Sequence, residues 1–155
     1  MDSIPAPEAA IGDDGMRRLL AYWSAKRRGR ELPARADIDP VDMSFALGRL
    51  ALIEVAEPAG QFRIRLQGTE LLWWLGRDLT GKTLEQIAAP ALRTLILEML
   101  ADCIDKRAPI HRAGSLVVND ILRGYETLIL PLSADGQRID MLLVMVRCCS
   151  RSGPS

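Results

Sequence analysis

The sequence predicts an α+β fold: a five-stranded antiparallel sheet with helices on one face and an additional N-terminal amphipathic helix. Three observations predict it. Residues 50–55 form an apolar run, and in residues 62–67 Phe62, Ile64 and Leu66 alternate with Arg63, Arg65 and Gln67, so residues 50–66 read as a hairpin. Three further strand-like segments, residues 110–118, 124–132 and 138–147, close the chain. Between the two groups lies one long helix over residues 90–107. Strands interrupted once by helices fit helices packed on a single sheet better than an alternating parallel architecture.

The 155 residues make one domain, long enough to bury about 70% of the surface an unfolded chain exposes. Twenty Lys and Arg balance twenty Asp and Glu, so no global field draws the chain toward nucleic acid or an acidic membrane. The N-terminus lacks the basic start and apolar run of a secretory signal, and no apolar stretch approaches the roughly 20 residues of a membrane span. The expected location is the cytoplasm. Cys103, Cys148 and Cys149 form no CxxC pair, so neither a disulfide framework nor a metal site is indicated, and reduced thiols are expected.

Residues 1–12 are rich in Ala and Pro and are expected to be a disordered tail. Asp13 or Asp14 caps a helix over residues 13–29, in which Met16, Leu19, Leu20 and Trp23 make one apolar stripe. Lys26, Arg27 and Arg28 suit the negative end of its dipole, and Gly29 stops it. The basic run KRRGR, with Arg35 beyond it, reads as a solvated helix end, with contact to phosphate or lipid headgroups as the functional alternative. Residues 31–42, ELPARADIDPVD, form a connector in which Asp37, Asp39 and Asp42 serve as turn and cap residues, ending in a short helix near residues 41–47.

EPAG turns the first hairpin. Gly68 ends its second strand, Thr69 offers an N-cap, and residues 70–75 predict a short interior helix closed by Gly76. Residues 84–89 suggest one more turn before Pro90. Proline suits the first position of the long helix, whose apolar face carries Leu92, Leu95, Ile96, Met99, Leu100 and Cys103. SADGQ joins the last two strands. In the final strand both alternating sets are apolar, so something must cover its second face. The stripe from Met16 to Trp23, of this chain or of a second copy, is the candidate.

Residues 76–83, G-R-D-L-T-G-K-T, match the phosphate-binding pattern G-x-x-x-x-G-K-[ST], with Lys82 and Thr83 as phosphate lysine and magnesium ligand. Their context argues against it. Pro90 breaks any helix starting at Lys82, the rest of the chain is too short for a parallel nucleotide-binding sheet, and both glycines suit ordinary turns. The single histidine, His111, reads as a polar strand residue, and no catalytic constellation emerges. Trp73, Trp74, Leu95, Met99 and Tyr125 are candidates to line a pocket, with ordinary core packing as the plain alternative.

The segment Y-W-x-x-K-R-x-G-R-x-L-P-x-R-x-D-I-D-P from Tyr22 to Pro40, with F-R-x-R-L-x-G-T-E-L and L-G-R-D-L-T-G-K-T-L, resembles the alphaproteobacterial PAS-domain family labelled PAS type 5. The resemblance implies a PAS-like domain over residues 13–148, with tails at 1–12 and 149–155. It implies a bacterial, non-enzymatic sensor or protein-interaction module with a pocket between sheet and helices for a possible small molecule. It also implies signalling through contacts with an unidentified protein, and a homodimer for which Met16, Leu19, Leu20 and Trp23 are the expected interface. Haem-binding members use a histidine on the long helix, and photosensory flavin members use a cysteine in the short helices. Residues 90–107 and 84–89 lack these, so neither haem nor a photoactive flavin is supported. The alternative reading is a small nucleotide-binding enzyme using residues 76–83.

Overall fold

Apolar residues on both faces make a strand a central one, and the last strand takes that place. The computed structural model describes residues 11–56, 61–118 and 120–149, with only the backbone of Trp73 and Cys149. Strands β1 (Leu50–Ala56), β2 (Gln61–Gln67), β3 (Ile110–Val118), β4 (Ile121–Leu132) and β5 (Met141–Cys149) form one antiparallel sheet in the order β2-β1-β5-β4-β3. The EPAG turn, residues 1–10 and residues 150–155 lie outside the described residues. Ile11, expected in the tail, is buried in the core, and Cys149 ends β5.

Two strand boundaries differ from expectation. Strand β4 begins at Ile121 rather than at residue 124. Strand β5 begins at Met141 because side chains hold the preceding residues in a loop. Asp135 accepts from the amides of Gln137 (2.8 Å) and Arg138 (2.9 Å), and Ser133 Oγ donates to the Arg138 carbonyl (2.6 Å).

A third difference decides what faces inward. Leu52 pairs with Leu66 but Ile53 with Ile64, which leaves Arg65 as an extra residue in β2. Such a bulge moves the following side chains to the opposite face. Leu66 therefore leaves the side of Phe62 and Ile64 and joins Leu52 and Leu143 in a shallow outer groove, while Gln67 joins Ile64 inside.

Helix α1 (Asp14–Lys26) covers the outer face. Asp13 caps it, accepting from the Met16 amide at 2.9 Å. Trp23 Nε1 donates to the Pro131 carbonyl at 2.9 Å, and Gly15 sits so close that a Cβ there would lie 2.8 Å from the Met145 methyl. Met16, Leu19, Leu20 and Trp23 are all buried within one chain. Within this chain the stripe covers the sheet's own apolar outer face, which is the intramolecular one of the two covers the sequence left open.

The connector after α1 is held by Tyr22, whose hydroxyl donates to Asp42 and accepts from the Asp39 amide, each at 2.9 Å. Asp37 accepts from the Ala34 amide (2.8 Å) and from Arg30 (2.7 Å), which turns the basic run back onto its own helix end. In place of the expected helix near residues 41–47 there are two 3-10 turns, Pro40–Met43 and Leu47–Arg49.

On the inner face a 3-10 turn, Thr69–Leu71, leads into α2 (Leu72–Leu75), which Gly76 ends at φ 83°. Helix α3 (Pro90–Lys106) follows, after a further 3-10 turn, Leu84–Gln86. Among the described residues no helix is long and apolar enough to cross a membrane.

Candidate functional site

Alternation along β4 sends Tyr125, Thr127 and Ile129 inward and Glu126 and Leu128 outward. The inward set meets Val144 and Val146 of β5, Ile53 of β1 and Ile64 of β2. From the helices come Leu71, Trp74 and Leu75, then Leu92, Leu95, Ile96 and Met99. These side chains line a cavity of about 80 Å³.

Trp74, Leu95, Met99 and Tyr125 thus border one space, while the Trp73 side chain lies outside the described residues. Trp74 and Tyr125 meet edge to face, with centroids 6.2 Å apart and planes at 79°. Gly114 makes room for Tyr125, because a Cβ there would lie 3.0 Å from the phenol oxygen. Sequence reasoning missed Thr127, Val144 and Val146, although the period of two along β4 and β5 carries them. It also missed Gln67, which only the bulge brings inward.

The cavity wall is carbon. Gln67 turns its amide to the following loop, accepting from the Leu79 amide at 2.8 Å and donating to the Arg77 carbonyl at 3.1 Å. None of the described lining residues is charged, and none is Cys or His. A space so lined favours an uncharged apolar guest. Its size is about half the roughly 150 Å³ of an engineered cavity that binds benzene.

Residues 76–83 form a connector. The Leu79 amide is bound to Gln67, and the Thr80 amide donates to Asp78 at 3.0 Å. The Gly81 amide donates to the Ile64 carbonyl at 2.7 Å, and the Lys82 amide to the Leu79 carbonyl at 2.8 Å. Four successive amides of the segment, Leu79 to Lys82, are thus engaged within the protein, and a 3-10 turn rather than a helix follows Thr83.

Opposite the cavity, on the outer face, Glu126 Oε2 lies 2.7 Å from His111 Nε2, and Glu126 Oε1 accepts from Arg147 at 3.2 Å. Arg147 also approaches Asp13 at 3.8 Å, and Arg49 donates to Asp13 at 3.0 Å. Burial pushes the Asp13 carboxyl up. The hydrogen bonds from Arg49 and the Met16 amide, with the charges of Arg49 and Arg147, outweigh it and hold the group below its usual 3.8. His111, expected as an ordinary strand residue, is therefore half of a buried pair. Among the described residues no His, Cys, Asp and Glu cluster is arranged to hold a metal.

An antiparallel sheet in the order 2-1-5-4-3, with a helix-roofed cavity on one face, defines the PAS and LOV class of domain. Residues 13–146 match the PAS domain family PAS_5, and the chain belongs to that family. The PAS domain of BvgS from Bordetella pertussis matches with a TM-score of 0.52 at 14% identity, covering 74% of this chain and 88% of that one. The Rhodobacter sphaeroides LOV protein matches with a TM-score of 0.50 at 14% identity, covering 75% of this chain and 71% of that one. At such identity these likenesses concern the fold alone. A comparison with curated proteins finds no match.

Proposed function

We propose that this PAS domain is a non-enzymatic, cytoplasmic sensor that takes a small, uncharged, apolar molecule between its sheet and helices. It passes occupancy on through protein contacts, to a second copy of itself and to a signalling protein. The observation that carries the reading is the uncharged, carbon-lined cavity of about 80 Å³ bordered by Trp74, Leu95, Met99 and Tyr125. Such a void costs stability when empty, so a guest that fills it stabilises the fold.

The route outward follows from β4 and β5. Thr127 and Val146 touch the cavity, and their neighbours Glu126 and Arg147 hold the network that reaches the Asp13 cap of α1. A guest that shifts β4 or β5 perturbs that network and the seating of α1. Native mass spectrometry of the protein purified from its own host tests the reading. A bound mass released on denaturation is the expected result. A bare chain mass, with no thermal shift across a panel of small apolar compounds, would count against it.

A further inference from the structure

The two edges of the sheet are built differently. Strand β2 carries Arg63 and Arg65 outward, is bulged at Arg65, and is covered where Arg63 bridges to Thr83 and Ile64 exchanges hydrogen bonds with Gly81 and Lys82. These devices keep an edge from recruiting another strand. Strand β3 has none of them. Its nine residues pair with β4 in unbroken register and include no proline. Its two basic residues are already engaged, Arg112 with Asp102 of α3 and His111 with Glu126. The Arg112 side chain also donates to the His111 carbonyl at 3.2 Å.

The side chains of β3 fit a copy of themselves. One end is large, with Leu116 inward and Val117 outward, and the other is small, with Gly114 inward and Ala113 outward. Val117 is 57% exposed and its cross-strand neighbour Leu122 is 53% exposed. An antiparallel copy related by a two-fold axis at Ser115 sets each Val117 against the other's Ala113. The same axis sets each Leu116 against the other's Gly114, so large meets small on both faces at once.

We propose that β3 pairs with β3 of a second copy about this axis, joining two sheets into one. The proposal rests on the homodimer reading above and moves its interface from α1 to the β3 edge. A single strand pair with a few apolar contacts is a small interface, so the dimer is weak, with a dissociation constant on the order of 10–100 μM.

Sedimentation equilibrium of the full chain from about 5 to about 300 μM tests it. The wild type is expected to pass from monomer to dimer across this range. Val117→Lys sets an ammonium group in each half of the contact and is expected to weaken the dimer at least about tenfold. Ala113→Lys, which fills the small end, gives the same loss and decides the matter if circular dichroism shows Val117→Lys to be misfolded. Val41→Lys, on the connector at a site 77% exposed, leaves the dimer unchanged. A monomer throughout the range, a dimer indifferent to both β3 variants, or equal weakening by Val41→Lys would overturn the proposal. Thermal shifts with small apolar compounds are read separately: a monomer that still responds refutes the strand pairing and leaves the sensor reading standing.

Discussion

Ala51 lies on β1 opposite Val144, and both border the cavity, so Ala51→Leu directs its added carbons into that space. Two independent magnitudes bound the effect. An unfilled void costs about 24 cal/mol per Å³, and for about 80 Å³ this gives about 2 kcal/mol. Burying about three more methylene equivalents at about 0.8 kcal/mol each gives a similar ceiling. Strain from imperfect fit subtracts from it. The variant is expected to gain about 1 kcal/mol in urea denaturation with an unchanged slope, or about 2–4 °C in Tm for a domain of this size. It is also expected to lose the thermal response to small apolar compounds. A loss of about 1 kcal/mol or more with an unchanged slope would refute the reasoning, because it would mean the space cannot take the added carbons.

Other residues give sharper single outcomes. In Gly68→Ala the new Cβ would meet the Gly48 carbonyl oxygen at 2.4 Å and the Leu47 oxygen at 2.5 Å, backbone against backbone; a loss of at least about 2 kcal/mol is expected, and an unchanged urea midpoint would contradict it. Trp23→Phe removes the donor to the Pro131 carbonyl and is expected to cost about 1–3 kcal/mol by the same measurement, against no change if α1 does not seat on β4. Because the Asp13 pKa is depressed on folding, its contribution is fully present above about 3.8 and is lost as pH falls through the folded value. The stability gap between wild type and Asp13→Asn should therefore hold from pH 7 down to about pH 4 and narrow as pH falls below about 3.8, and a gap that stays constant into the acid range would rule this out. Burial first, then the Asp102 charge, pushes the Cys103 thiol up to about 12, so alkylation at pH 8 should reach it only on unfolding and after the partly exposed Cys148.

Much of the fold was legible where a periodic pattern coincided with a physical boundary. Asp13 before the stripe Met16, Leu19, Leu20, Trp23 marked α1, and Pro90 with its apolar face marked α3. The doubly apolar last strand required a cover on its second face. What periodicity leaves open is which surface provides it, and in the structure α1 of the same chain does so. Alternation also says nothing of bulges. One extra residue at Arg65 sent Leu66 outward and Gln67 inward, against a pattern that made Leu66 core. The turn after Leu132 shortened β5 because Ser133 and Asp135 offered the backbone other partners than the sheet.

Trp74, Leu95, Met99 and Tyr125 were recognisable as apolar or aromatic residues near helix and strand centres. That they border one space, with Thr127 and Val146 behind them, depends on the pairing of β4 with β5 and on where α3 crosses the sheet. Neither is written in local pattern. The phosphate-loop letters, which their sequence context already argued against, show the complementary limit, since a motif lists residue types and not whether their amides are free.

Met99 borders the cavity, whereas Met16 is buried under α1 on the far side of the sheet, so their methyl groups make a paired reporter. Methyl-labelled protein titrated with dissolved xenon, an apolar probe with no charge or hydrogen bond, tests the central claim most directly. The account predicts a saturable shift of the Met99 methyl, little change at Met16, and loss of the Met99 response in Ala51→Leu. An unmoved Met99, or equal shifts at both methyls in wild type and variant, would contradict it.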